Sequence, residues 1–247
     1  MIFGGVILLS GYAKVADFNV KANCDFEFYD FTFPYPENIV PDIEFDIVMD
    51  DIKRYRELIK ANTAKFTCAW QVALEKISQW LPSQNSFLLH SATFEIDGQG
   101  IAFSAKSGTG KTTHMLNWQK LLGDKLTIVN GDKPIIRFFD DEPNIPYAYG
   151  TPWCGKERFG NDSRTKLKHI CFIERSATNY VTHIDKSEAI SRIMKQVYMP
   201  SNPQNLSKTL VLIDRLLSCC DLWIIHCNME PESAEVAYNT IINGITK

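Results

Sequence analysis

Between Ser86 and Cys227 the chain alternates short apolar runs with longer amphipathic ones. SFLLHSATFEI and GIAFSA read as two strands, with His90 on the first, joined by a short glycine-containing turn at Asp97-Gly98-Gln99-Gly100. LTIVN and IIRFF are further strands, followed by the acidic turn DDEPNIP, and HICFIE and LWIIHC read as buried strands. A helix of about three turns is expected shortly after GIAFSA. Others are expected at about Lys186–Tyr198, Asn205–Cys219 and Pro231–Asn243. Strands interleaved with helices predict an α/β core built on a largely mixed sheet.

The first third is patterned differently. Residues 1–50 are strand-like, with the apolar and aromatic runs IFGGVILL and DFEFYDFTF punctuated by Pro34, Pro36 and Pro41. Trp70, Leu74, Ile77 and Leu81 then fall on one face of a helix that Pro82 must stop. A boundary is expected at LPSQNS, giving an N-terminal β/α region over 1–82, packed on or extending a core domain over 83–247. The opening MIFGGVILLSGYAKVAD does not read as a signal peptide: it lacks a basic start, and Lys14 stands where a small residue should precede a cut after Ala16. Ile2–Leu9 reads instead as a buried strand. No other apolar run approaches the ~20 residues of a membrane span, so no membrane partner is expected.

Composition narrows the classes. The 247 residues are 45% hydrophobic and 22% charged, and 26 Lys and Arg face 29 Asp and Glu for a net charge of -3. That balance, with no basic run, offers no footprint for a nucleic-acid backbone. Seven irregularly spaced cysteines include no CxxC pair, and the five histidines are scattered, so neither a zinc site nor a disulfide framework is expected. Reduced thiols point to a cytoplasmic protein.

The stretch that carries chemistry is SAKSGTGKTTH, Ser104–His114. It has the form of a phosphate-binding loop in the context such a loop needs, after a strand and before a helix. Consecutive backbone N–H groups at a helix N-terminus favour an anion, and glycines let the chain pass close to it. Ser107, Gly108, Thr109, Gly110, Lys111, Thr112 and Thr113 are the expected nucleotide-binding residues. Lys111, expected to be an exposed loop lysine, would meet the β and γ phosphates, and the Thr112 hydroxyl would ligate Mg²⁺. Ala105 stands where such loops usually begin with glycine; a methyl is tolerated there if φ is negative.

A strand hairpin immediately before the loop is unusual, and LLHSATFEIDGQGIAFSAKSGTGKTTH resembles the active-site region of HPr kinase/phosphorylases and ATP-dependent phosphoenolpyruvate carboxykinases. IVNGDKP resembles their acidic motif at the end of the next strand. The chain is similar to a group of HPr-kinase-like proteins with the same order of motifs, ending in PWCGKE. The resemblance spans roughly residues 86–175, and residues 1–82 do not resemble the N-terminal domain of bacterial HPr kinases. It implies a mixed-sheet P-loop kinase core with an N-terminal β-rich and helical region. It further implies ATP and Mg²⁺ as cofactors, Asp132 as metal ligand and orienting base, and His90 as a site residue. The families carry two adjacent acids where this chain has Asp132 followed by Lys133.

YGTPWCGKERFGN, Tyr149–Asn161, is a long glycine-rich loop in which aromatics interleave with charges. Loops of that length without secondary structure are commonly functional lids. A cation on such a loop suits a transferring phosphoryl group, whose charge spreads over its equatorial oxygens. Lys156 is the first candidate and Arg158 the second; Cys154 has no partner pattern that would make it a nucleophile. The expected function is an ATP-dependent kinase acting on a hydroxyl of a protein serine, a peptide or a small molecule, with homo-oligomerisation open. The alternatives are a non-catalytic ATP-binding module and, with less support, a carboxykinase-like or phosphorylase reaction.

Overall fold

The computed structural model describes residues 2–3, 6–7, 9–24 and 39–244. They divide into two compact units, Met1–Trp80 and Leu81–Lys247.

In the first unit, β1 (Ile2–Phe3) pairs antiparallel with β2 (Val6–Ile7), and β3 begins at Leu9 and runs to Val15. The single strand expected over Ile2–Leu9 is therefore two two-residue strands. Gly4-Gly5, a two-glycine turn signal, stands between them in the sequence. The burial expected for that segment and the strand expected at DFEFYDFTF lie outside the described residues. β3 pairs antiparallel with β4 (Phe18–Cys24) across Ala16 and Asp17, and β4 pairs parallel with β5 (Ile43–Ile47). Two helices follow, α1 (Met49–Ile59) and α2 (Lys65–Trp80). Leu74 and Ile77 are buried on α2, as its periodicity requires, while Trp70 is half-buried. Pro82 ends the helix as expected; it lies in a 3₁₀ turn over Leu81–Gln84.

The second unit is a mixed α/β structure. Its strands are β6 (Ser86–Leu88), β7 (Ser91–Ile96), β8 (Gln99–Ser104), β9 (Leu126–Asn130), β10 (Ile135–Arg137), β11 (Tyr147–Tyr149), β12 (Arg164–Arg175), β13 (Tyr180–His183) and β14 (Asp221–Cys227). Its helices are α3 (Lys111–Leu122), α4 (Lys186–Ile193), α5 (Pro203–Cys219) and α6 (Glu232–Ile241). The strands form one sheet in the order β6-β10-β11-β12-β8-β7-β9, and β14 pairs with β12 and β13. β12 is the hub, parallel to both β8 and β14 and antiparallel to β11.

Side chains alternate across this sheet with period two, so each face carries its own core. Ala102, Ile170, Phe172, Leu222 and Ile224 pack with Ala189 and Ile193 of α4 and Leu212 and Leu216 of α5. Ile101, Phe103, Cys171, Ile173 and Ile225 pack on the opposite face with Met115 and Trp118 of α3 and Ala234 and Ala237 of α6.

SFLLHSATFEI is broken rather than continuous. Its first part, β6, pairs with β10 at one end of the sheet, while its second, β7, pairs with β8 and β9. His90 thus sits at the crossing between two strands and not on one. The hairpin turn is also tighter than the four residues expected: Ile96 pairs with Gln99, leaving Asp97 and Gly98, both at positive φ, as a two-residue turn. The strands at Tyr147–Tyr149 and Tyr180–His183 carry no signal in the sequence pattern. The first is three residues long and the second is mostly exposed, so neither shows an apolar run.

A candidate phosphate-binding cleft

The registers bring the chemistry to one edge. β8 and β12 run parallel, as do β12 and β14, and β9 joins them in direction through antiparallel β7. The carboxyl ends of β8, β9, β12 and β14 therefore meet on the same side, together with the start of β7. In an open α/β sheet, that is where ligands bind.

The turn from Ala105 to Gly110 leaves β8 and enters α3. Gly108 and Gly110 have φ of 78° and 124°, conformations that side chains resist. Ala105 is outside the positive-φ set, so its methyl costs no strain; it packs into the core beneath the loop. Thr109 N–H donates to Lys106 O at 3.2 Å and closes the turn. From the end of β12, Arg175 donates to Gly108 O at 2.6 Å and to Thr109 O at 3.3 Å. These two bonds tie the loop to the end of β12.

Lys111 is not exposed, as its place in a loop suggested, but only 7% accessible. It is the first residue of α3, and its stem folds back beneath the turn. Its Nζ donates to Ala105 O at 2.9 Å and stands 3.0 Å from His90 Nε2. Burial pushes the Lys111 ammonium below the ordinary lysine range, against the charge of Asp132 and with that of Lys133.

Asp132 arrives from the end of β9. Asn130, fully buried, orders this turn: its Oδ1 accepts from the N–H groups of Asp132 at 2.9 Å and Lys133 at 2.7 Å. The Asn130 amide donates to Thr151 O, also at 3.0 Å to Thr151 Oγ1. His90 Nε2 faces Asp132 Oδ1 at 3.1 Å, and the Lys133 ammonium bonds Oδ2. Burial alone would raise the Asp132 pKa, but the hydrogen bonds from His90 and Lys133 outweigh it and hold the carboxyl at about 2. The other His90 nitrogen, Nδ1, is 3.0 Å from Gln196 Oε1.

These groups line one open cleft of about 420 Å³, shared by His90, Ser107, Gly108, Gly110, Lys111, Thr112, Thr113 and Asp132. Thr109 lines a small neighbouring crevice instead. Lys156 and Glu157 reach the cleft from the Tyr149–Asn161 segment; Arg158 is exposed and does not line it. Much of that segment is stitched down. Trp153 is buried, Phe159 O accepts from Gly131 N–H at 2.6 Å, Trp153 O from Lys133 N–H at 3.1 Å, and Asn130 bridges to Gly160. A Cβ on Gly150 would collide with the Asn161 carbonyl, and one on Gly160 would stand 2.6 Å from Cys154 Cβ. Outside these contacts lies the turn at Gly155–Arg158, closed by Arg158 N–H on Gly155 O at 3.2 Å. Burial raises the Cys154 thiol pKa, consistent with no nucleophilic role.

Sequence reasoning missed three residues here. Arg175 clamps the loop, Gln196 orients His90, and Met229 lies over Gly110, its sulfur 3.4 Å from where a Cβ would stand. Each comes from a distant segment and belongs to no local motif, so only the register of the sheet brings it in.

The donor set suits a hard cation. Thr112 and Asp132 offer oxygen, and among the described residues no three His, Cys, Asp or Glu side chains form a metal cage. Mg²⁺ is typically held by one or two protein oxygens together with phosphate and water, so these residues fit it.

No protein-family model and no curated protein matches the chain. Among solved structures, the chain is similar to the HPr(Ser) kinase/phosphatase from Coxiella burnetii. That match has 11% identity and a TM-score of 0.28, and covers 52% of this chain and 90% of the other. A likeness that slight has no bearing on function. No helix among the described residues is long and apolar enough to cross a membrane.

Proposed function

We propose that this chain is an ATP-dependent phosphotransferase of the P-loop, HPr-kinase-like kind, transferring the γ-phosphoryl group to a hydroxyl acceptor. The observation that carries the reading is one cleft shared by a glycine turn at a helix N-terminus, a buried lysine beneath it and a carboxylate from the next strand end. Backbone amides from Ser107 to Thr113 would cradle the phosphates, and Lys111 would place its charge against them. Thr112 and Asp132 are the donors for Mg²⁺, whose charge offsets that developing on the phosphate oxygens. Lys156, on the turn that overhangs the cleft, would meet the transferring group. The acceptor hydroxyl belongs to a small molecule, a peptide or a protein serine.

Asp132 has both oxygens engaged and a pKa of about 2, which suits it to charge and orientation better than to accepting a proton. The same observation favours a second reading, a nucleotide-binding module without turnover. Calorimetric titration with Mg²⁺-ATP, run beside an ATP-consumption assay with a panel of hydroxyl acceptors, separates them. Binding with acceptor-dependent consumption supports the kinase; binding alone supports the module; no binding removes both.

A further inference from the structure

Asp132 is held by a cation of the chain's own. Lys133, the next residue, turns its ammonium back onto Oδ2 while His90 faces Oδ1. The geometry is fixed at the backbone, where both N–H groups donate to the buried Asn130 side chain. The Lys133 side chain is 15% exposed and that of Asp132 23%, so solvent and salt screen this pair less than a surface pair. Asp132 lines the cleft, and Lys133 is not among the residues that line it. Lys111 brings a second ammonium into the cleft itself.

The charge that a divalent cation would seek at Asp132 is thus already met by the Lys133 ammonium. An anion entering the cleft meets the Lys111 ammonium and the start of α3 along its lining.

We propose that Lys133 is a built-in counter-cation that keeps divalent metal off Asp132 in the nucleotide-free protein, so that metal is retained only together with phosphate oxygens. The proposal rests on reading Asp132 as a metal ligand. It assigns to Lys133 the setting of metal affinity, a role that requires neither contact with substrate nor displacement of its side chain. The remaining ligands would be phosphate oxygens and water, because no three His, Cys, Asp or Glu side chains among the described residues are grouped to hold the ion.

The test is Mn²⁺ binding to the whole chain without nucleotide, read from the paramagnetic resonance signal of free Mn²⁺. Lys133→Met should bind Mn²⁺ at least tenfold more tightly than wild type, and Lys133→Arg, which keeps the charge, should stay at the wild-type level. Should a bare Asp132 unsettle the turn, Lys133→Gln removes the charge while retaining a hydrogen-bond donor, and the same gain is expected. Adding Asp132→Asn to either neutral variant should abolish it. Equal Mn²⁺ affinity in wild type and the neutral variants would overturn the proposal, as would a gain that survives Asp132→Asn. Titrating wild type with ATP in EDTA and then with Mn²⁺-ATP judges the nucleotide reading separately. If neither form binds, that reading fails, and the Mn²⁺ comparison still decides the role of Lys133.

Discussion

Lys111 Nζ lies 3.0 Å from His90 Nε2, the ring nitrogen that also faces Asp132 Oδ1 at 3.1 Å. One imidazole nitrogen can accept from the lysine or donate to the carboxylate, but not both. With Nδ1–H donating to Gln196 Oε1, a neutral ring leaves Nε2 bare for Lys111, whereas a protonated ring donates from Nε2 to Asp132. Turning the Gln196 amide over puts the proton on Nε2 for Asp132. The Gln196 amide orientation and the position of Lys111 are thus coupled through one ring. A phosphate that draws the Lys111 ammonium away from Nε2 would leave His90 to Asp132.

Lys111→Met is the cleanest probe of the loop, because it removes the charge and keeps most of the buried stem. Transition-state stabilisation should fall by roughly 3–4 kcal/mol, the scale of losing one preorganised electrostatic group. Lys111→Ala, by contrast, would also empty space under the turn and lower stability, since the lysine is only 7% exposed. ATP affinity and turnover measured on the Met variant decide the matter: wild-type values for both would place the phosphates elsewhere.

Asp132→Asn tests the metal and the reaction together. In a kinase, turnover should collapse while ATP still binds, and the Mg²⁺ concentration needed should rise. A passive module should show only a modest change in metal dependence. The substitution also strips Lys133 of its anion, and leaving a partly buried charge unpaired should cost roughly 1–3 kcal/mol of stability. Urea unfolding of the variant, set beside its kinetics, separates that loss from the catalytic one.

The strands and helices that build the sheet were legible where their pattern was long and strong. LTIVN, HICFIE and LWIIHC are strands, a helix of about three turns follows the glycine turn, and the helix expected at about Asn205–Cys219 runs over Pro203–Cys219. The two short strands were not legible, because three or four residues define no period. His90 was legible as a residue but not in its setting: the apolar run through it is continuous in sequence, while the chain crosses there from one sheet neighbour to another. The loop residues could be listed from a local motif. The burial of Lys111, the hold of Lys133 on Asp132 and the clamp from Arg175 could not, since each depends on side-chain direction or on the register of β12 beside β8.

Two buried histidines should make stability fall on mild acidification. His114 accepts from Trp118 Nε1 at 3.2 Å and pairs through Nδ1 with Ser233 Oγ at 3.3 Å; His169 Nδ1 accepts from Trp223 Nε1 at 3.3 Å. Burial lowers both to about 4, although the charge of Asp221 opposes the shift at His169. Protonating either ring would remove the acceptor its indole needs. Above the unfolded value, about 6.5, neither state is protonated and nothing is lost. Between about 6.5 and about 4 the unfolded chain takes up protons that the folded one refuses, so stability falls as pH falls, by about 1.4 kcal/mol per pH unit per histidine. Below about 4 the loss levels off. Urea unfolding at pH 7 and pH 4.5 reads this directly, and a flat profile would mean that the rings are not held neutral.

The overhanging turn yields the last prediction. Lys156 and Glu157 line the cleft from Gly155–Arg158, while the flanks of the segment are tied to β9 through Gly131, Lys133 and Asn130. Closure would therefore move the tip alone, hinged at Gly155, whose φ of 89° strains any side chain although a Cβ would stand in ordinary contact with Asp132 Cβ. Lys156→Ala should lower turnover while leaving ATP binding near wild type, the signature of a contact made mainly in the transition state. Glu157→Gln is the companion, because Glu157 brings a second carboxylate to a cleft whose first is already committed to His90 and Lys133. Should the acceptor proton pass to Glu157, that variant would lose turnover with nucleotide binding intact. Amide exchange separates tip from flanks: nucleotide should slow exchange across residues 155–158, while Gly131, Lys133 and Asn161, already bonded, change little. Unchanged exchange at the tip, with wild-type rates for both variants, would make the turn a fixed rim of the cleft.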